Sequence, residues 1–119
     1  MATYKCLVNR SLGTALEQRL AEGLTFITVN RFGPDPEPVE VSFTEVEAGR
    51  WYTAGKPSDS TMVLGSVPAG TPQDVREAHM AEVARFFSET TGDHIDQVMV
   101  VAADARTATD GSERRKGRN

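Results

Sequence analysis

An internal repeat constrains this chain more than any other feature. Leu7 is followed by Gly13-Thr14, and Leu64 is followed at the same distance by Gly70-Thr71. Each Gly-Thr pair lies between a strand-like apolar segment and a segment of helical periodicity, and each helix leads to another strand. The chain therefore reads as two tandem β-α-β units, at about residues 2–56 and 60–102. Because a helix connects parallel strands, the two strands of each unit should be parallel.

Together these units predict an α/β (α+β) fold, a four-stranded mixed sheet with both helices on one face. The other sheet face needs a cover that 119 residues cannot supply, which predicts an oligomer. We expect residues 1–104 to form a single domain. Residues 105–119 have no periodicity and an excess of basic residues, so they are interpreted as a polar basic tail.

The first unit begins with a strand at residues 2–10. Thr14 followed by Glu17 has the form of a capping box that begins the first helix. Gly23 lies on the buried stripe of this helix and is expected to let it lie close to the sheet, and the helix ends at residues 31–34. The apolar stripe itself comprises Leu16, Leu20, Leu24 and Ile27.

The rest of the chain follows the same scheme. Alternation predicts a half-buried strand at residues 39–46, then a short returning strand at 50–53 and a loop at 54–59. A strand at 61–67 precedes a second helix, with Thr71 as N-cap and Pro72 at the first helical position. The apolar stripe of this helix comprises Val75, His79, Val83, Phe86 and Phe87. His79 is interpreted as a hydrogen-bonded core histidine. The last strand is expected at residues 94–102.

Composition excludes several classes of function. The net charge of −4 repels phosphate backbones, so no nucleic acid is expected as a partner. No apolar run approaches a membrane span, and the start of the sequence lacks the pattern of a secretion signal. Cys6 is the single cysteine, which fits a reducing cytoplasm. The two histidines and this cysteine lack metal-ligand spacing, and no metal or cofactor is expected.

The segment Phe43-Thr44-Glu45-Val46-Glu47-Ala48-Gly49, at the end of a strand, resembles the Phe-x-Glu-x-x-Ala-Gly pattern of one protein family. With the order and length of the elements over residues 2–102, it resembles the tautomerase superfamily, in the branch that contains cis-3-chloroacrylic acid dehalogenase. The resemblance implies a homotrimer whose active sites lie near subunit boundaries. It also implies chemistry at an N-terminal proline.

This chain departs from the pattern of the resembling family at the catalytic positions. The position of the N-terminal proline is occupied by Ala2, and a histidine late in the first helix corresponds to a position near Thr28. The arginines with which the branch binds carboxylates fall around Ala69 and Thr71. Dehalogenation is therefore not expected of this chain.

A free amine at Ala2, if Met1 is removed, is the remaining catalytic candidate. An α-amino group has a pKa of about 8, and an apolar pocket lowers that pKa further. A neutral amine takes a proton α to a carbonyl, or condenses with the carbonyl. The alternative is an ordinary strand start with its amine in water, and retention of Met1 would displace the amine by one residue.

The site prediction adds candidates for binding a small-molecule substrate, and among them Arg10 is the candidate for steering an anion or carbonyl. The full set of substrate-binding candidates is Tyr4, Arg10, Thr28, Trp51, Tyr52 and Thr71. The favoured interpretation is a cofactor-independent tautomerase-like isomerase or lyase acting on a small carbonyl or unsaturated carboxylic acid. Two alternatives stay open, a non-catalytic trimeric binding or scaffold protein, and a ferredoxin-like dimer that binds a small molecule.

Overall fold

The computed structural model describes residues 2–35 and 37–105, and the tail expected at 105–119 lies outside these residues except for Ala105. The elements in chain order are β1 (Thr3–Val8), α1 (Thr14–Phe32), β2 (Glu40–Glu45), β3 (Tyr52–Thr53), β4 (Lys56–Pro57), β5 (Thr61–Val67), α2 (Gln73–Thr91), a 3-10 turn (Ile95–Gln97) and β6 (Val98–Asp104).

One four-stranded mixed sheet has the strand order β2-β1-β5-β6. β1 and β2 are parallel, β5 and β6 are parallel, and β1 and β5 join the two units in antiparallel register. The predicted β-α-β repeat and mixed sheet are therefore confirmed. The repeat places β1 and β5, the first strands of the two units, at the centre of the sheet.

The core lies between this sheet and the two helices, which pack on one face of it and against each other. Alternate residues of β1 and β5 point into the core, which explains their regular burial pattern. From the helices, Leu20, Leu24, Val83 and Phe87 are fully buried, as the predicted stripes require.

Gly23 lets α1 approach the other helix, and the expectation that it serves contact with the sheet is wrong. A Cβ atom placed on Gly23 would lie 1.9 Å from the Cζ atom of Phe86 in α2. The ring of Phe86 thus occupies the space that a side chain at position 23 would need.

The two helix starts also differ from the predictions. Gly13, not Thr14, is the N-cap of α1, and it accepts the backbone N–H of Glu17 at 3.0 Å without a side-chain cap. Pro72, not Thr71, is the N-cap of α2. The fixed φ of proline suits the extended conformation of this position, and its missing N–H removes no helical hydrogen bond there.

Two further segments differ from the predicted elements. The predicted returning strand corresponds to β3, which pairs with β4 in a separate hairpin. β4 lies within the segment that was expected to be a loop. Ala54 and Gly55 between the strands have φ angles of 51° and 78°, the left-handed turn that favours such hairpins. The last strand begins at Val98 rather than at residue 94, because residues 95–97 form the 3-10 turn.

The sheet face opposite the helices carries apolar side chains. Leu64 of β5 lies beside Val101 of β6, and Met62 lies beside Met99. Leu64, Met99 and Val101 are exposed by 37%, 38% and 45% in the single chain. No helix within the described residues is long and apolar enough to cross a membrane.

Candidate functional site

A cavity of about 350 Å³ opens beside Ala2, at the start of β1. One wall comes from the last two turns of α1, through Thr25, Thr28, Val29 and Phe32. The opposite wall comes from the segment between α1 and β2, and Pro68 closes the cavity from the end of β5. These walls are mainly apolar, and the volume is in the range of a small-molecule site.

A backbone hydrogen bond from the first residue of β2 holds Ala2 in this position. The backbone N–H of Glu40 donates to the carbonyl of Ala2 at 3.1 Å, as the first bond of the parallel pair. Gly33 is the C-cap of α1, and its φ of 85° is one that glycine adopts without strain. Its backbone N–H donates to the carbonyl of Val29. Residues 33–35 and 37–39, at and after this end of α1, line the cavity.

Two carboxylates belong to the same wall. Asp35 and Glu37 line the cavity, and the backbone N–H of Glu37 donates to Oδ1 of Asp35 at 2.9 Å. An amine at Ala2 would therefore share this cavity with apolar side chains and with two carboxylates.

A buried chain of side-chain hydrogen bonds runs from the cavity wall across the core. The Oγ1 atom of Thr28 lies 2.6 Å from Oη of Tyr4, which lies 2.8 Å from Nε2 of His79. Thr28 also donates to the carbonyl of Leu24 at 2.7 Å. The exposed fractions of Thr28, Tyr4 and His79 are 4%, 2% and 1%.

The hydrogens in this chain can be assigned by counting donors. Thr28 has one hydroxyl hydrogen, which it donates to Leu24, so the phenol of Tyr4 donates to Thr28. The oxygen of Tyr4 then accepts the Nε2–H of His79. We therefore assign His79 as the neutral Nε2–H tautomer, whose buried Nδ1 has no hydrogen-bond partner among the described residues.

Burial is the largest influence on the pKa values of Tyr4 and His79 in this series of hydrogen bonds. Loss of solvation lowers the pKa of His79, and the nearby Arg31 lowers it further, while Glu82 opposes them. The guanidinium of Arg31 is paired with Glu82 at 2.7 Å. Burial likewise raises the pKa of the Tyr4 phenol. Tyr4 and His79 are therefore both held in their uncharged forms. The prediction that His79 is a hydrogen-bonded core residue is confirmed.

Tyr4 lies beneath the cavity rather than in its wall. Its side chain points into the core, and its ring packs against Gly65 on β5, where a Cβ atom would lie 2.8 Å from Cε1 of Tyr4. Of the candidates predicted from sequence, the structure places Ala2 and Thr28 together in the cavity wall. The hydroxyl of Tyr4 is hydrogen-bonded to the hydroxyl of Thr28 in this wall.

Arg10 lies at the opposite end of β1 from Ala2. Its guanidinium donates to Oδ1 of Asp93 at 2.6 Å and to the carbonyl of Thr91 at 2.9 Å. These bonds tie the end of β1 to the end of α2. Within one subunit, then, Arg10 does not reach the cavity beside Ala2.

The remaining candidates also lie outside the described cavity wall. Trp51 and Tyr52 belong to the β3–β4 hairpin, where Tyr52 is 60% exposed. The hydroxyl of Thr71 donates to the carbonyl of Pro68 at 2.6 Å, which stabilises the turn before α2. Thr71 therefore supports a residue of the wall without lining it.

Sequence reasoning missed several wall residues. Phe32, Asp35 and Glu37 line the cavity, and none of them was a candidate site residue from the sequence. The sequence gives one clue to this wall, since the glycine at position 33 allows a sharp turn after an apolar helix end.

The described residues hold no group of three or more potential metal ligands. Cys6 is 1% exposed in the core, and burial raises the pKa of its thiol to about 12, so it stays protonated at neutral pH. We take the cavity beside Ala2 as the candidate site, because two candidates named from the sequence, Ala2 and Thr28, line it.

No protein-family model and no curated protein matches this sequence. Solved structures do match. Native Ps01740 superimposes with a TM-score of 0.81 at 29% identity, over 90% of this chain and 96% of that one. A member of the cis-3-chloroacrylic acid dehalogenase family has a TM-score of 0.79 at 13% identity, over 87% of this chain and 74% of that one.

A fused 4-OT, solved as a symmetric trimer, has a TM-score of 0.77 at 19% identity, over 87% of this chain and 85% of that one. These structures confirm that the chain has the fold of the tautomerase superfamily, as its sequence pattern indicates.

Proposed function

We propose that this chain is a tautomerase-like protein that moves a proton on a small carbonyl or unsaturated carboxylic acid, with the amine of Ala2 as the catalytic group. The observation that carries the proposal is the position of Ala2 in a mainly apolar cavity of about 350 Å³. This placement supports a functional amine over a strand start bathed in solvent. The tautomerase-superfamily fold adds support, because the resemblance implies chemistry at this end of β1.

The proton steps balance within the site. A neutral amine at Ala2 takes the hydroxyl proton of an enol and becomes an ammonium group. The ammonium group then donates a proton to the α-carbon. A new C–H bond forms there, the C=C bond becomes a single bond, and the C–O bond becomes a carbonyl. The amine ends as it began, and no cofactor is consumed. The carboxylates of Asp35 and Glu37 would stabilise the ammonium form between the two steps.

The assembly proposed for this chain is a homotrimer. The apolar sheet face that carries Leu64, Met99 and Val101 is exposed in the single chain and needs a cover. A fused 4-OT with the same fold is a symmetric trimer. Sedimentation or light scattering would report this stoichiometry. The buried single cysteine, Cys6, supports a cytoplasmic location.

The alternative function is a trimeric binding or scaffold protein without catalysis. One observation favours it: within one subunit, the best anion-binding candidate, Arg10, is paired with Asp93 away from the cavity. The cavity would then bind a ligand without transforming it.

The test compares the natural chain with Ala2→Pro and Thr28→Val in the ketonisation of phenylpyruvate enol and of its methyl ester. Intact mass identifies samples that begin at Ala2. The proposal expects turnover by the natural chain, loss of turnover after acetylation of the amine, and weaker substrate binding in Thr28→Val. Turnover by Ala2→Pro alone would contradict the proposal and favour the alternative.

A further inference from the structure

The charged residues of the cavity differ from those that a carboxylate-binding site needs. Asp35 and Glu37 are the two charged residues in its described wall, and both are acidic. No lysine or arginine belongs to the wall as far as the structure describes it. An anionic ligand at this position would face the carboxylate of Glu37 in a partly desolvated site.

Two arginines of the helices are paired outside the cavity. Arg31 at the end of α1 is paired with Glu82 of α2 at 2.7 Å. Arg76 donates to the carbonyl of Ala102 and to the carboxylate of Asp104, both at 2.5 Å. Neither residue lines the cavity, so within one subunit neither offers a counter-charge to a bound acid.

The uncharged part of the wall suits an apolar body. Val29, Phe32, Val39 and Pro68 contribute apolar side chains, whereas the hydroxyl groups of Thr25 and Thr28 already donate to the carbonyls of Ala21 and Leu24. Burial of an aromatic or branched group against such a wall is favourable.

We infer that the cavity beside Ala2 takes an uncharged carbonyl compound with an apolar body in preference to the corresponding carboxylic acid. This inference rests on the proposed function and narrows its substrate class. The reacting carbonyl lies toward Ala2, and the apolar body packs between the end of α1 and the segment that leads into β2.

The experiment uses one skeleton in two charge states, phenylpyruvate and its methyl ester. Their dissociation constants are measured by NMR titration of the full chain, and their ketonisation rates are measured in parallel. The test variant is Glu37→Lys, which puts a cation into the wall. The matched control is Glu45→Lys, which makes the same change at an exposed position at the far end of β2.

The inference expects the ester to bind at least about tenfold more tightly than the acid, a difference of about 1.4 kcal/mol. Glu37→Lys should reduce or reverse this preference, and Glu45→Lys should leave it unchanged. Equal or tighter binding of the acid by the natural chain overturns the inference, as does an unchanged preference in Glu37→Lys. Failure of both compounds to bind overturns it as well.

The outcomes separate this inference from the proposed function. Preferential binding of the ester without turnover upholds the substrate class and contradicts catalysis at Ala2. Turnover with preference for the acid upholds catalysis and overturns the substrate class.

Discussion

The Oη atom of Tyr4 lies 2.8 Å from Nε2 of His79 in the middle of the core, and the same oxygen lies 2.6 Å from Oγ1 of Thr28. β1 of the first unit and α2 of the second unit are thereby joined by a buried polar contact. Thr28 belongs to the cavity wall, so this contact also supports the candidate site from below.

Tyr4→Phe should destabilise the protein, because it leaves the imidazole N–H of His79 buried without an acceptor. The expected loss is about 1–3 kcal/mol in the free energy of unfolding, measured with urea. Tyr52→Phe removes the same hydroxyl from a side chain that is 60% exposed and should change stability by less than about 0.5 kcal/mol. Equal losses in the free energy of unfolding for the two variants would contradict a stabilising role of the buried hydrogen bonds of Tyr4.

The stability of the protein should fall as the pH is lowered through the range where an unfolded histidine titrates. The folded-state pKa of His79 lies below the ordinary value of 6.5, so the unfolded chain binds the proton more readily. This contribution is complete above about pH 6.5 and is lost below it, toward the folded-state pKa.

The measurement is the free energy of unfolding between about pH 7.5 and 5 in the natural chain, in His79→Gln and in His94→Gln. His79→Gln should have the shallower pH dependence, whatever its absolute stability. His94 is exposed, and its variant should follow the natural chain. A slope unchanged by His79→Gln would show that His79 is not the titrating group.

Gly23→Ala should destabilise the helix pair despite the better helix propensity of alanine. The added methyl group meets the ring of Phe86 at 1.9 Å, so the ring must leave its place between the helices. Overpacking of this kind costs about 1–3 kcal/mol, whereas the propensity gain is about 1 kcal/mol.

The double variant Gly23→Ala with Phe86→Leu tests the cause, because the smaller side chain leaves room for the methyl group. Its destabilisation should be smaller than the sum of the two single effects. Stabilisation by Gly23→Ala alone would contradict the close contact between α1 and α2.

Arg10→Gln should reduce stability slightly and leave ligand binding beside Ala2 unchanged. Its partner Asp93 is 14% exposed while Arg10 itself is 44% exposed, so the expected loss is about 0.5–1 kcal/mol. NMR titration with methyl phenylpyruvate reports the binding. An affinity lowered by roughly tenfold would show that Arg10 reaches the cavity from a neighbouring subunit.

The sequence predicted those parts of the fold that periodicity determines. The strands that became β1 and β5, and the stripes that contain Leu20 and Val83, were predicted correctly, because burial of one face leaves a periodic pattern in the sequence. The role of Gly23 was not predictable in the same way, because a sequence pattern does not specify which element meets a glycine. The contact with Phe86 depends on how the two units pack.

Only part of the candidate site could be named from the sequence. Ala2 and Thr28 were named from sequence through the family resemblance, and the structure brings them to one cavity. The wall residues Asp35 and Glu37 come from a connector without periodicity, so sequence gave them no role. Arg10 was named from its place after the first strand, but its pairing with Asp93 is a tertiary contact.

The most direct test of the central claim, a free and neutral amine at Ala2, uses the condensation of such an amine with a carbonyl. Methyl phenylpyruvate is incubated with the natural chain at neutral pH in the presence of cyanoborohydride, which reduces the imine, and tryptic mass spectrometry locates the adduct. The account predicts that the chain begins at Ala2 and that the peptide Ala2–Lys5 carries the adduct at its amine, with lysine side chains largely unmodified. Retention of Met1, or adducts spread over the lysines with an unmodified Ala2 amine, would contradict it.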